Sequence, residues 1–192
     1  MKNKKFDLKV EIENVIKKYN LSNVWSKKIE LDLKKYKKHH QSSKNRKDYR
    51  DYDFVTIDGE DAKDFDDAVF CKKINENWKL YVAIADVAHY VSKNSNIDKE
   101  AFKRGTSVYF PGFVIPMLPE VLSNDLCSLK PNEDKLVVIA EIVIDKSGSI
   151  KSYNFENALI KSSARLTYNV VEEFLKGKNI IQDPRIIKNI NN

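Results

Sequence analysis

The sequence is short of the residues that break up or staple a chain. Five glycines and five prolines among 192 residues argue against a linker-dominated polypeptide, so a packed core is expected. Two cysteines, Cys71 and Cys127, are too few for a disulfide framework, and neither has the CxxC or Cys/His companions of a structural zinc site. Both are expected to be reduced, half-buried and apolar in role. Long hydrophobic runs are missing too. Leu80–Ala85 and Leu136–Ala140 are strand-sized, far short of the roughly 20 residues that span a bilayer. The first residues, MKNKKFDLKVEIENVIKK, alternate charge with apolar side chains and lack the uninterrupted apolar region of a secretory signal. A cytoplasmic protein is the expectation.

Positive charge is present but unevenly spread. Residues 1–50 hold 16 lysines and arginines against 6 acidic residues, a net of +10. Residues 51–192 hold the other 18 against 22, a net of −4. A basic arm next to an acidic body suits a polyanion that one part holds and another processes; a lysine-rich solvated surface is the plainer reading. The charge shift divides the chain into a basic helical leading segment with a linker, residues 1–50, and a body, residues 51–192.

In the leading segment, Leu8, Ile12, Val15, Ile16 and Tyr19 fall on one helical face. Ser26 is a candidate N-cap for a second helix presenting Ile29, Leu33 and Tyr36. The stretch from Lys34 to Arg50 is polar and basic and is expected to end that helix and form a linker, with His39 and His40 facing solvent. Beyond Asp53 the pattern turns to strands at Phe54–Ile57, Ala68–Lys73 and Trp78–Asp86, the last two joined by an INEN turn. A helix over Asp98–Arg104 closed by Gly105, strand pieces at Ser107–Phe110 and Phe113–Ile115, and a long hairpin of Leu136–Asp145 and Ile150–Ile160 follow. Thr167 is placed to cap a helix from Tyr168 to about Lys176, and Asn179–Asn192 has only weak periodicity. The fold class this predicts is α+β, a mixed and largely antiparallel sheet with flanking helices.

Residues 51–67, DYDFVTIDGEDAKDFDD, carry eight carboxylates and one lysine. In an extended segment Asp64 and Asp66 share one face and Asp67 takes the other, while Gly59 permits a turn that folds Asp58 back towards Asp66. Carboxylates this close repel one another unless protons, arginines or metal ions neutralise them. Oxygen donors without histidine or cysteine select Mg²⁺ or Mn²⁺ rather than zinc. An EF-hand loop starting at Asp58 fails, because its sixth and twelfth positions are Lys63 and Val69. The commonest use of such a site is phosphate chemistry; an acidic surface turn paired with the basic arm is the alternative.

VTIDGEDAKDFDDAV (Val55–Val69) closely resembles the opening signature of the ribonuclease II/ribonuclease R catalytic domain, the RNB domain. The resemblance continues through WKLYVAIADVAHYV, RGTSVYFPGFVIPMLPEVLSNDLCSL and SSARLTYNVVEEFL, and covers roughly Glu11 to Leu175. It implies a Mg²⁺-dependent exoribonuclease, with Mn²⁺ as a substitute, that degrades single-stranded RNA hydrolytically from the 3′ end and releases nucleoside 5′-monophosphates. It further implies that Asp58, Asp64, Asp66 and Asp67 hold the metal. Asp66 and Asp64 would be the catalytic carboxylates, with Asp66 the one most needed for the chemical step. Tyr109 would stack on the 3′-terminal nucleotides, while His89 and Trp78 would pack and Asp86 would be structural. The later segment that supplies a catalytic arginine, a glutamate and a second aromatic is absent from these residues. The resemblance therefore also implies a truncated domain that a second polypeptide would complete, or a non-catalytic RNA- or partner-binding remnant.

Overall fold

The computed structural model describes residues 7–36 and 44–192. Helix α1 (Leu8–Lys18) starts where the Asp7 carboxylate accepts the amide protons of Lys9 and Val10. Helix α2 (Lys27–Tyr36) starts where the Ser26 hydroxyl accepts that of Ile29 at 3.4 Å. Strands β1 (Lys47–Asp48), β2 (Val55–Asp58), β3 (Asp67–Ile74) and β4 (Asn77–Ala85) follow, then helices α3 (Val87–Tyr90) and α4 (Asn96–Arg104). A small hairpin of β5 (Val108–Phe110) and β6 (Phe113–Ile115) precedes a π-helical turn at Leu122–Leu126. The chain ends with strands β7 (Asp134–Ile144), β8 (Ile150–Lys161) and β9 (Ala164–Thr167), and helices α5 (Tyr168–Leu175) and α6 (Pro184–Asn191).

Seven strands form one sheet in the order β1-β8-β7-β4-β3-β2-β9, and β5 and β6 pair separately. The outermost pairs, β1 with β8 and β2 with β9, are parallel, while the four inner pairs are antiparallel. This is the expected mixed, largely antiparallel sheet with flanking helices. The described residues fall into two compact units. The expected boundary at residue 50 marks a change of charge, whereas the compact units divide the chain differently.

One unit combines the described residues among 1–39 with residues 91–120. Ile29 of α2 and Ile97 of α4 are its buried residues on facing helices. Arg104 ties it together: its guanidinium stacks 3.7 Å from the Trp25 ring centre, pairs with Glu100 at 3.0 Å and donates to the carbonyls of Pro116 and Val24. Gly105 closes α4 at φ +75°, a left-handed conformation that favours glycine. The amphipathic stripe of α1 leaves Leu8 and Val15 exposed and buries no residue fully.

The other unit, residues 40–90 with 121–192, holds the seven-stranded sheet. Tyr49, Tyr52, Phe54, Phe70 and Tyr81 interlock across one part of it with ring centres 5.0–5.9 Å apart. Tyr49, together with β1, corrects the reading of residues 34–50 as the end of a helix and a linker. This stretch joins the sheet through the β1–β8 pairing, and Arg46 beside it pairs with Asp86 and donates to the Val137 carbonyl. Asp86 also accepts the His89 amide at 3.1 Å, in keeping with the structural role expected of it. His89 is exposed and meets only the edge of Tyr90, so it packs less than expected. The expectation for His39 and His40 lies outside the described residues.

Helix α6 forms in the tail, where the sequence showed only weak periodicity. Asp183 caps it and Pro184 opens it, and Ile186 joins Val55, Leu166 and Ile181 in a buried cluster. Its Asn189 side chain does the work of a strand. It accepts from the Cys71 amide at 2.8 Å and donates to the carbonyls of Asp53 and Val69. Strand β2 pairs with β3 only at Val55–Val69, so Asn189 supplies the Cys71 amide with the acceptor that β2 does not. Both cysteines are free; Cys127 is buried, and burial pushes its thiol up to about 12. No helix among the described residues is long and apolar enough to cross a membrane.

Candidate functional site

Asp58 is the last residue of β2 and Asp67 the first of β3, two neighbouring antiparallel strands. Asp64 and Asp66 lie in the connection between them, so the strand pairing itself gathers the four carboxylates at one end of the sheet. The connection starts with a turn in which the Ala62 amide donates to the Gly59 carbonyl at 3.2 Å. Gly59 is not in the left-handed conformation, and the turn uses it without requiring its freedom.

Most of the connection's backbone is held from outside. The fully buried Ser128 hydroxyl accepts from the Phe65 amide at 3.1 Å and donates to the Lys63 carbonyl at 2.8 Å. The Leu129 amide donates to the Phe65 carbonyl at 2.8 Å, and the Ala85 amide to the Asp66 carbonyl at 2.9 Å. Phe65 is buried, so the ring anchors the turn while the aspartates on either side face outward. An alternation of acid, aromatic and acid at residues 64–66 is what such an anchored turn requires.

The electrostatics are unusual for solvent-accessible aspartates. Partial desolvation, then the charges of Asp67 and Asp64, raises the Asp58 carboxyl above its ordinary value, while Arg165 pulls it down. Asp66 is raised by desolvation, then by Asp64, Asp67 and Asp58. Asp66 reaches solvent, yet the protein around it is dense enough for desolvation to be the largest effect. The charges act on one another, and Arg165 offsets part of the cost at Asp58. All-oxygen donors with excess negative charge fit a hard divalent cation. As they stand, no three His, Cys, Asp or Glu side chains among the described residues converge closely enough to hold a metal ion.

Tyr109 belongs to the other unit. It sits mid-strand in β5, opposite Val114, and is 65% exposed. Arg165 is a residue that sequence reasoning counted but gave no role. It lies on β9 opposite Thr56 of β2, two residues before the partner of Asp58. The signal available was its place in the ARLT segment; the parallel pairing that brings it to Asp58 spans 109 residues of sequence.

A β2–β3 acidic turn on a mixed sheet defines a class. Residues 46–192 match the RNB domain, and the chain belongs to that family. Within it the similarity runs to ribonuclease R. The ribonuclease R of Vibrio parahaemolyticus is 55% identical over 139 residues, covering 72% of this chain and 17% of that protein. The structure of Mycoplasma genitalium RNase R in complex with double-stranded RNA superposes with a TM-score of 0.88 at 36% identity, over 96% of this chain and 34% of that one. The same protein in complex with ribose-methylated single-stranded RNA gives 0.85 at 38% identity, over 96% and 29%. The chain thus spans between 17% and 34% of the length of these relatives.

Proposed function

We propose that this chain carries the metal-binding half of a Mg²⁺-dependent 3′→5′ exoribonuclease site that acts on single-stranded RNA in the cytoplasm. The observation that carries the reading is the gathering of Asp58, Asp64, Asp66 and Asp67 at the β2–β3 end of the sheet, on a connection whose backbone is fixed by Ser128, Leu129 and Ala85. Asp58, Asp64, Asp66 and Asp67 would hold Mg²⁺ or Mn²⁺, with Asp58 and Asp67 projecting from strand ends and Asp64 and Asp66 from the pinned connection. Such an ion, when bound, orients a phosphate, activates water and stabilises the leaving oxygen. Hydrolysis forms a bond from water oxygen to the terminal phosphorus and breaks the bond to the 3′ oxygen. A nucleoside 5′-monophosphate leaves, and the shortened RNA keeps a 3′ hydroxyl. Tyr109, exposed on its hairpin, offers a face on which any base stacks. The RNA in the two solved complexes of the M. genitalium relative supports the choice of substrate class. A second polypeptide that completes the domain belongs to the proposal.

A second reading, a non-catalytic RNA- or partner-binding remnant, is favoured by the carboxylates' failure to converge as they stand. Purified chain, 5′-labelled single-stranded RNA and Mg²⁺ or Mn²⁺ separate the two. Catalysis predicts a ladder shortening from the 3′ end, abolished by EDTA and at least about 100-fold slower in Asp66→Asn, the upper end of what even supporting residues of metal sites contribute. No shortening by a chain shown to be folded by circular dichroism favours the remnant.

A further inference from the structure

Arg165 is more than a packing residue of β9. Its Nη2 donates to two successive carbonyls of the acidic turn, that of Gly59 at 2.9 Å and that of Glu60. Its guanidinium carbon lies 5.4 Å from the centre of the Phe65 ring, the aromatic that anchors the same turn between Asp64 and Asp66. The parallel register pairs Arg165 with Thr56 and Thr167 with Asp58, so Arg165 projects from the same side of β9 as the residue opposite Asp58. Arg165 therefore touches both ends of the stretch that carries the aspartates. The arrangement also carries a cost. The Nε of Arg165 is buried without a hydrogen-bond partner, and so is the hydroxyl of Thr56 beside it. An apolar side chain would fill the space without an unsatisfied donor, and broken local rules of this kind gather at functional sites.

We propose that Arg165 is a positioning residue for the cation site, locking the Gly59–Glu60 turn and countering the aspartates' mutual repulsion so that they can close on a divalent ion. This rests on the reading of the cluster as a cation site. Arginine suits the role because one planar fork both bonds two carbonyls and stays charged, whereas lysine offers a point charge alone. The four carboxylates otherwise have Lys63 as their nearest basic neighbour in sequence, and its carbonyl, not its ammonium, is what the turn uses.

The test is Mn²⁺ binding by the whole chain, followed by the electron paramagnetic resonance signal of free Mn²⁺ and independent of RNA turnover. Arg165→Gln is expected to weaken Mn²⁺ binding about 10- to 100-fold, the usual effect of removing a residue that orients metal ligands. Amide exchange should quicken at residues 59–66 and stay unchanged on β4 and β7. Arg165→Lys, the milder variant in case the first does not fold, keeps the charge and loses the fork, and its affinity should fall between the two. Mn²⁺ affinity within about threefold of wild type in folded Arg165→Gln, whatever its melting temperature, or, where that variant does not fold, affinity equal to wild type in Arg165→Lys, overturns the proposal. A wild-type chain that takes up no Mn²⁺ removes the cation site itself and this inference with it, an outcome seen before any variant is made.

Discussion

Asp145, in the turn between β7 and β8, and Asp66, in the turn before β3, are both acidic residues in connections of one sheet, and their surroundings are opposite. Asp145 pairs with Lys151 at 2.7 Å and accepts from the Ser147 hydroxyl and from the amides of Ser147 and Ser149 at 2.6–3.0 Å. Those partners, Lys151 first, hold its carboxyl well below the usual carboxylate range. Asp66 has its carbonyl bonded, and desolvation, then the charges of Asp64, Asp67 and Asp58, holds its carboxyl high. A structural carboxylate has its charge compensated by neighbours. The cluster at residues 58–67 keeps two raised carboxyls on a hydrogen-bonded backbone, the arrangement expected of a ligand site before its ligand arrives.

The largest effect that tests this contrast comes from the rigidity. Ser128→Ala removes a fully buried hydroxyl with two bonds to the acidic turn and should cost about 1–3 kcal/mol in urea unfolding. A cost near zero would mean the turn is not held as described. Next come the two aspartates themselves. At neutral pH without metal, Asp66→Asn should raise the melting temperature by relieving repulsion, while Asp145→Asn should lower it. Thermal scans in EDTA that moved both the same way would erase the distinction. The smallest effect is the pH dependence. A raised folded-state carboxyl contributes stability at low pH that is lost as pH rises through the unfolded value near 4 and on to the raised one. A lowered one contributes stability above the unfolded value that is lost as pH falls. The difference between wild type and Asp66→Asn should therefore shrink towards acid pH, and that between wild type and Asp145→Asn should shrink there as well, from the opposite sign.

Much of this was legible in the sequence, for local reasons. Ser26 and Thr167 cap the helices where expected because capping is decided by a hydroxyl and an amide three residues on. The turn at residues 146–149 was readable because Gly148 takes φ +80°. The gathering of Asp58, Asp64, Asp66 and Asp67 was readable as density of charge. What escaped depends on distant partners. Tyr49 looks like linker until Tyr81 arrives from β4 to meet it. Helix α6 has only eight residues, too few to stand out within the weakly periodic tail, and docking on the Val55–Leu166 cluster makes it a helix. Arg165 reaches the aspartates only through a parallel edge pairing that no local pattern specifies.

The central claim is that the four aspartates form one cation site, and anomalous diffraction tests it most directly. A crystal of the chain grown with Mn²⁺ and measured at the manganese edge should show a single strong peak coordinated by at least three of Asp58, Asp64, Asp66 and Asp67. A peak elsewhere, or none at these carboxylates under saturating Mn²⁺, would contradict the account.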